Sequence, residues 1–350
     1  ESLRIMKKLA TIQVPCSTSN IGPGFDCIGL ALKKYITTEI YVKKGTKKPT
    51  ITATYIKSSC HTSLQLSQDF QKKGDNEVFI TSNTENRIIK AIYQVVNNHC
   101  SSKGRDAFEA NDDIELRIRN EIPIGVGLGS SGAATITGIL IGGLLCETNL
   151  SKEMVYKLAY TIEGHPDNVT PSIMGGCTIS MADIDYIKPK AEIFDELDIL
   201  VFVPDTKVST EDARKALPLK YARSDVIFTI QRCSSLVALL GLPVEDVLQK
   251  PKLFQEALGD VIHQQYRAAL MPGTPEFLGL GEKLKDDSFF FGTAISGAGP
   301  SVLFFYRKGS PNLNDIKKEI LECFEKQNKK ILESYQLIVD KEGYKIILNK

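Results

Sequence analysis

Apolar and polar residues alternate over residues 9–14 (Leu-Ala-Thr-Ile-Gln-Val), and the run stops at Pro15. A period of two closed by proline predicts a half-buried strand. Residues 35–42 and 50–56 are rich in β-branched and aromatic side chains and are bounded by Gly, Lys and Pro, which predicts two more strands. The spacing becomes helical over 83–96, returns to alternation at Ile114, Leu116 and Ile118, and then predicts an apolar helix from Ala133. Ser151 is placed to cap a further helix whose Met154, Val155, Leu158, Ala159 and Ile162 form one stripe. Gly164 and Pro166 end it.

A charged stretch, 188–195, suggests a division into an N-terminal domain of residues 1–187 and a C-terminal domain of residues 188–350. The second part opens with a buried strand at 199–203 and a helix capped at Ser209-Thr210. Helices at 224–240 and 252–270 follow, then strands at 289–296 and 302–306 joined by Gly297-Ala298-Gly299-Pro300, a charged helix and two short strands. Strands mixed with helices without a strict βαβ period predict an α+β fold, not a doubly wound sheet. No internal repeat is visible.

At 350 residues the chain is long for one core, which favours two domains. A net charge of +1 argues against a nucleic-acid coat, and the runs Lys43-Lys44, Lys47-Lys48 and Lys72-Lys73 read as solvated loops. The eight cysteines (Cys16, Cys27, Cys60, Cys100, Cys146, Cys177, Cys233 and Cys323) contain no CxxC pair, and four histidines offer no zinc spacing. Unpaired thiols suit a reducing, cytoplasmic location. Sequons at Asn149 and Asn168 follow no signal peptide and are expected to stay unmodified. Residues 125–146 carry no charge and include Gly138 and Gly142 at membrane-dimer spacing. Only about 14 of them are strongly apolar, against ~20 for a span, so a buried helix and no membrane are expected.

The candidate chemistry sits at Gly125-Val-Gly-Leu-Gly-Ser-Ser-Gly-Ala133, just before that helix. A helix N-terminus offers unpaired N–H groups and about half a positive charge, and glycines let a phosphate reach them. No Gly-Lys-Ser/Thr occurs in the chain, which excludes a Walker loop. Gly127, Gly129 and Gly132 also satisfy GxGxxG, with Glu147 near the position of a ribose-binding acid. Pro123 and Asn120-Glu121 interrupt the strand that such a dinucleotide loop needs. Glycines serving helix packing alone would explain two of the four, but not the paired serines.

Two other loops are dense in turn formers: Pro15-Cys-Ser-Thr-Ser-Asn20-Ile-Gly-Pro-Gly-Phe-Asp26 and Ser296-Gly-Ala-Gly-Pro-Ser301. Singly, each reads as a structural turn. Together with the phosphate loop they suggest one converging polar cleft. The three resemble the signature motifs of the kinase superfamily named for galactokinase, homoserine kinase, mevalonate kinase and phosphomevalonate kinase (GHMP). The segments 14–31, Glu163-Gly-His-Pro-Asp-Asn-Val-Thr-Pro171 and Ile295-Ser-Gly-Ala-Gly-Pro-Ser301 are most similar to its homoserine-phosphorylating branch. The resemblance implies a first domain like domain 2 of ribosomal protein S5, a ferredoxin-like second domain, and ATP, Mg²⁺ and L-homoserine bound between them. It also implies a homodimer and a product, O-phospho-L-homoserine, on the way to threonine.

Residue roles follow from the same resemblance. ATP is assigned Pro123, Gly125, Gly127, Leu128, Gly129, Ser130, Ser131, Gly132 and Ala133, with Asn86 against the adenine. Glu163 and one of Ser130 or Ser131 are assigned the metal. Substrate falls to Asn20, Asp26, His165, Asn168, Thr210, Arg214, Arg267 and Gly297, the two arginines suiting a carboxylate by their planar forks. The catalytic set is Glu163, Asp167, Asn168 and Arg267, with Asp167 as base or with no base at all. Plain alternatives remain: Arg214 paired to Glu211 on a helix, and His165 as a structural histidine. A kinase for another small alcohol, a nicotinamide oxidoreductase and a non-catalytic nucleotide binder are the competing functions.

Overall fold

The computed structural model describes residues 6–44, 49–56, 71–73, 78–182, 185–326 and 330–349. Cys60 and the Lys47-Lys48 run lie outside the described residues. Strand β1 (Lys7–Ser19) pairs antiparallel with β2 (Ile28–Lys44). Pro15 does not end β1 as expected. It sits at a register shift between Pro15 and Cys16, where its missing N–H costs no ladder bond, and the strand runs on to Ser19. The polar run Ser17-Thr18-Ser19, read from sequence as loop, is therefore buried strand.

Strands β3 (Thr50–Ile56), β4 (Gln71–Lys73) and β5 (Val78–Thr81) extend this sheet. Helices α1 (Arg87–His99) and α2 (Ser102–Glu109) lead to β6 (Asn111–Asn120), which pairs with β2 and, in parallel, with β3. Helices α3 (Ser130–Leu145), α4 (Lys152–Glu163) and α5 (Val169–Met174) precede β7 (Cys177–Met181) and β8 (Asp185–Ile187). Lys43-Lys44 ends β2, with Lys43 bonded to Asp113, and Lys72-Lys73 lies in β4 at the sheet edge; neither is a loop, and lysine suits an edge.

A second, antiparallel sheet has the order β10-β11-β9-β12. It is built from β9 (Leu197–Pro204), followed by α6 (Thr210–Lys215), α7 (Arg223–Gly241), α8 (Val244–Leu248), α9 (Pro251–Ala257), α10 (Gln264–Ala268) and α11 (Thr274–Leu284). Then come β10 (Phe290–Ile295), β11 (Val302–Arg307), α12 (Leu313–Glu325) and β12 (Ile331–Leu337). The single helix expected at 252–270 is two short ones. Asp260 accepts from the N–H groups of His263 and Gln264, which breaks the chain after Gly259 and starts α10 afresh. The last strand, β13 (Lys345–Leu348), returns to the first sheet and pairs with β1.

Every residue of β9 is buried, because both sheet faces are covered. Phe202, Phe277, Phe304 and Phe324 form a cluster on one side, and Val201, Phe291 and Phe305 join the large core shared with the first sheet on the other. The architecture is α+β, as the patterning implied. No helix among the described residues is long and apolar enough to cross a membrane. The uncharged α3 is instead buried on nearly every side, and Gly138 and Gly142 face α1 within the fold.

That contact sets a stability prediction. Gly138→Ala gains about 1 kcal/mol of helix propensity, but its Cβ would lie 2.4 Å from Ile88 O and 2.6 Å from the Ala91 Cβ. Overpacking costs about 1–3 kcal/mol, and the approach to backbone places this site at the upper end, so urea unfolding should show a net loss of up to about 2 kcal/mol. A stabilised variant would show that α1 simply yields.

Candidate active site

The three glycine loops meet at the end of β1. Ser17 donates its N–H to Leu128 O (3.4 Å) and its hydroxyl to Asn168 O (2.7 Å). Gly297 N–H donates to Ser19 O at 2.8 Å, and Ser301 N–H to Val126 O at 3.2 Å. Ser296 Oγ lies 2.8 Å from Thr18 Oγ1 and 2.7 Å from Gly127 O. Two glycines are required by this closeness. A Cβ at Gly127 would sit 2.0 Å from Ser296 O, and one at Gly129 would sit 2.2 Å from Ser17 Oγ. Both also hold positive φ (83° and 66°), which side chains resist.

The loops wall a cleft of about 480 Å³, a volume suited to a small-molecule ligand. On its wall Gly129 is the N-cap of α3 and provides no side-chain cap, so the first N–H groups of the helix are left for an anion. Gly125, Gly127, Leu128, Gly129, Ser130 and Ser131 reach the cleft wall. Pro123, Gly132 and Ala133 do not; they are buried behind it and shape the loop.

Glu163 is also absent from the wall, although its side chain is only 4% exposed. It lies behind Ser131, whose hydroxyl donates to Oε2 at 2.6 Å, and accepts at Oε1 from Thr135 (2.6 Å) and Arg87 (2.7 Å). It is no solvated surface acid. Among the described residues no three His, Cys, Asp or Glu side chains are grouped to hold a metal alone. One carboxylate and one or two hydroxyls beside a phosphate-binding helix terminus do fit Mg²⁺, which takes most of its ligands from phosphates and water. Arg87 occupies the carboxylate meanwhile.

Arg214, also on the cleft wall, reaches from α6 to Asp26, with bonds of 3.0 and 2.7 Å to its two oxygens. Its alternative partner, Glu211, pairs with Lys215 instead. Arg267 on α10 is 1% exposed and donates to Gly297 O at 2.9 Å, while its Nε has no partner. Burial pulls its pKa down, Asp26 opposes this, and Arg214 adds to it. Asn20 spends its Oδ1 on the Asp26 N–H (2.8 Å) and so shapes the turn as well as lining the cleft. Thr210 opens α6 at the rim, where Ser209 caps the helix.

His165, Asp167 and Asn168 follow α4, whose end at Gly164 turns them into the cleft. His165 Nδ1 is 3.8 Å from Asp167 Oδ1. His165 Nδ1, Asp167 Oδ2 and Asn168 Oδ1 are buried without hydrogen-bond partners, a concentration of unmet polar capacity that suits a polar ligand. Burial raises the pKa of Asp167, and the Asp26 carboxylate raises it further against the influence of His165 and Ser19. Asn86 caps α1 through its Oδ1 and donates Nδ2 to Tyr55 OH at 3.0 Å, and both residues line the cleft.

Thr135, Arg87, Tyr55 and Phe25 carry contacts in or behind this site that motif reading did not assign. Thr135 stands one turn beyond Ser131 on α3, a spacing that could have marked it. Arg87, Tyr55 and Phe25 offer no local pattern, since their partners are distant in sequence.

A cleft lined by a glycine-serine helix start, in a fold of one mixed and one antiparallel sheet, is the arrangement of small-molecule phosphotransferases of the GHMP class. Residues 86–176 match the family model described as GHMP kinases N terminal domain. The crystal structure of homoserine kinase from Cytophaga hutchinsonii superposes with a TM-score of 0.73 at 22% identity, covering 99% of this chain and 100% of that one. The mevalonate kinase of Methanococcus jannaschii gives 0.60 at 16% identity, over 95% and 98% of the two chains. In sequence the chain is 33% identical to a homoserine kinase of Caldanaerobacter subterraneus over 97% of this chain and 96% of the relative. It is 32% identical to one of Solibacter usitatus over 88% and 89%. The chain belongs to the homoserine kinase family.

The raised pKa of Asp167 has a measurable consequence. Between the ordinary carboxylate value of about 3.9 and its raised folded value, the unfolded chain binds fewer protons at this residue than the folded one. Its contribution therefore weakens the fold as pH rises through that window. Asp167→Asn should remove this slope and be more stable than wild type at pH 7 in denaturant titrations. Equal stability would mean that the ionised carboxylate is already compensated in the fold.

Proposed function

We propose that this chain transfers the γ-phosphoryl group of ATP to the side-chain hydroxyl of L-homoserine, giving ADP and O-phospho-L-homoserine, a step toward threonine. The observation that carries this reading is one cleft lined both by the uncapped N-terminus of α3 and by Arg214, Arg267 and Asp26. A zwitterion with a terminal hydroxyl matches that distribution of charge. Its α-carboxylate is taken by the arginines and its ammonium by Asp26, each replacing an internal contact. The hydroxyl is left toward His165, Asp167 and Asn168 and, beyond them, toward the glycine-serine loop.

The N–H groups at the start of α3 bind and orient the phosphates, and the glycines let them approach. Asn86 and Tyr55 line the place for the base. Glu163 and Ser130 or Ser131 would hold Mg²⁺, which when bound neutralises charge on the phosphates. Asp167, with its pKa raised, is disposed to accept the hydroxyl proton. A loose transition state needs little early deprotonation, so transfer without a base is equally sound. A homodimer belongs to the same proposal, and the exposed Ile227, Ile230 and Val237 on α7 support it.

ADP release with Mg²⁺-ATP should be stimulated by homoserine above serine, threonine, mevalonate and galactose. No preference for homoserine would sink the substrate while sparing the fold. In the same assay, Asp167→Asn should lower turnover on the order of a hundredfold if the residue is the base. A loss under about tenfold removes it from that role.

A further inference from the structure

Phe25 lies between the two glycines of the first loop and Asp26, and does not reach the cleft wall. Its ring nevertheless meets both arginines of the cleft. The guanidinium carbon of Arg267 is 4.9 Å from the ring centroid and that of Arg214 is 5.7 Å from it. The His263 imidazole stacks on the same ring at 5.3 Å and 26°.

We propose that Phe25 is a positioning residue for recognition of the substrate carboxylate: its ring is a shared platform that holds Arg214 and Arg267 at a working separation. The proposal rests on the homoserine reading and deepens it.

Two guanidiniums facing one small cavity repel each other, and Arg267, fully buried, has few hydrogen bonds to fix its plane. The negative face of an aromatic ring attracts both cations and favours flat approach, which also orients their donor edges. The mount behind the ring is firm. His263 is 0% exposed, its Nε2 lies 2.6 Å from Gly22 O, and its N–H donates to Asp260. Burial keeps the imidazole's pKa low, so it is neutral near pH 7 and adds no third positive charge. The Nε2–H therefore donates to Gly22 O, and the Asn20–Asp26 bond closes the same loop from its other end. Ring, imidazole and loop thus form one rigid support, made of residues from both halves of the chain, beneath the carboxylate position.

The test compares homoserine with 3-amino-1-propanol, which has the same hydroxyl and ammonium but no carboxylate. Phe25→Leu keeps apolar bulk and removes the π face. It should raise the KM for homoserine about tenfold with little change in kcat. The KM for ATP and kcat/KM for the amino alcohol should stay within about twofold of wild type, and Phe25→Tyr should restore homoserine affinity. An equal loss on both substrates, or none on homoserine, overturns the platform. If Phe25→Leu does not fold, phenylalanines of increasing fluorination at position 25 keep the shape while draining the ring's negative face. Homoserine kcat/KM should then fall stepwise, and a flat series overturns the proposal. A wild-type enzyme that does not prefer homoserine to the amino alcohol overturns the substrate reading, and the platform with it. A preference that persists undiminished in Phe25→Leu overturns the platform alone.

Discussion

Everything in the cleft depends on backbone lying against backbone at the end of β1. Ser17, Thr18 and Ser19 are touched by the phosphate loop, by the segment after α4 and by the turn before β11, through hydrogen bonds of 2.7–3.4 Å. Loops that close can be joined only where side chains are missing, as the would-be Cβ clashes at Gly127 and Gly129 show. Three loops distant in sequence thereby become one surface, and each positions the others. A shift of any one would move the helix terminus relative to the arginines, and phosphoryl transfer is sensitive to such misplacement because it rests on positioning.

The second organising feature is that the charges of the cleft are already matched within the protein. Asp26 holds Arg214, and Glu163 holds Arg87. A zwitterionic substrate bound as proposed would exchange the Asp26–Arg214 pair for two of its own contacts, so little charge would be left unpaired. A ligand with only one of the two charges leaves Asp26 or Arg214 without its counterpart, which is costly where water is partly excluded. A metal ion bound at Glu163, as proposed, would similarly take over from the Arg87 cation already present. The internal pairs hold these side chains aimed into or behind the cleft, while Arg267 and Asp167 keep unpartnered polar atoms that a ligand could answer.

Much of this was legible in the sequence, and the failures have physical causes. The glycine-rich turn into α3 could be read because glycine before an apolar helix has a local meaning, and β9 because an unbroken apolar run marks a strand covered on both faces. Pro15 misled because its bulge depends on the partner strand. Gly259 and Asp260 split a helix through a side-chain cap that helical periodicity does not register. That Glu163 sits a layer behind the cleft wall was not legible, since the three groups that surround it come from α1 and α3. Phe25 was invisible for the same reason: its importance comes from residues roughly two hundred positions away, which only the fold brings to it.

Local stability and function pull in opposite directions at this site. A folded chain gains by giving every buried polar atom a partner, yet His165, Asp167, Asn168 and Arg267 each keep an unpartnered atom in or beside the cleft. The surrounding structure must hold them against collapse. It does so from below, with α3 wedged close against α1 at Gly138, and from the side, with the His263 and Phe25 stack under the arginines. Gly138, Phe25 and His263 themselves lie off the cleft wall. The groups that bind are therefore free to remain underpartnered only because the groups that support them are packed without slack, and the apolar residues behind the wall are as much a condition of the chemistry as the polar ones on it.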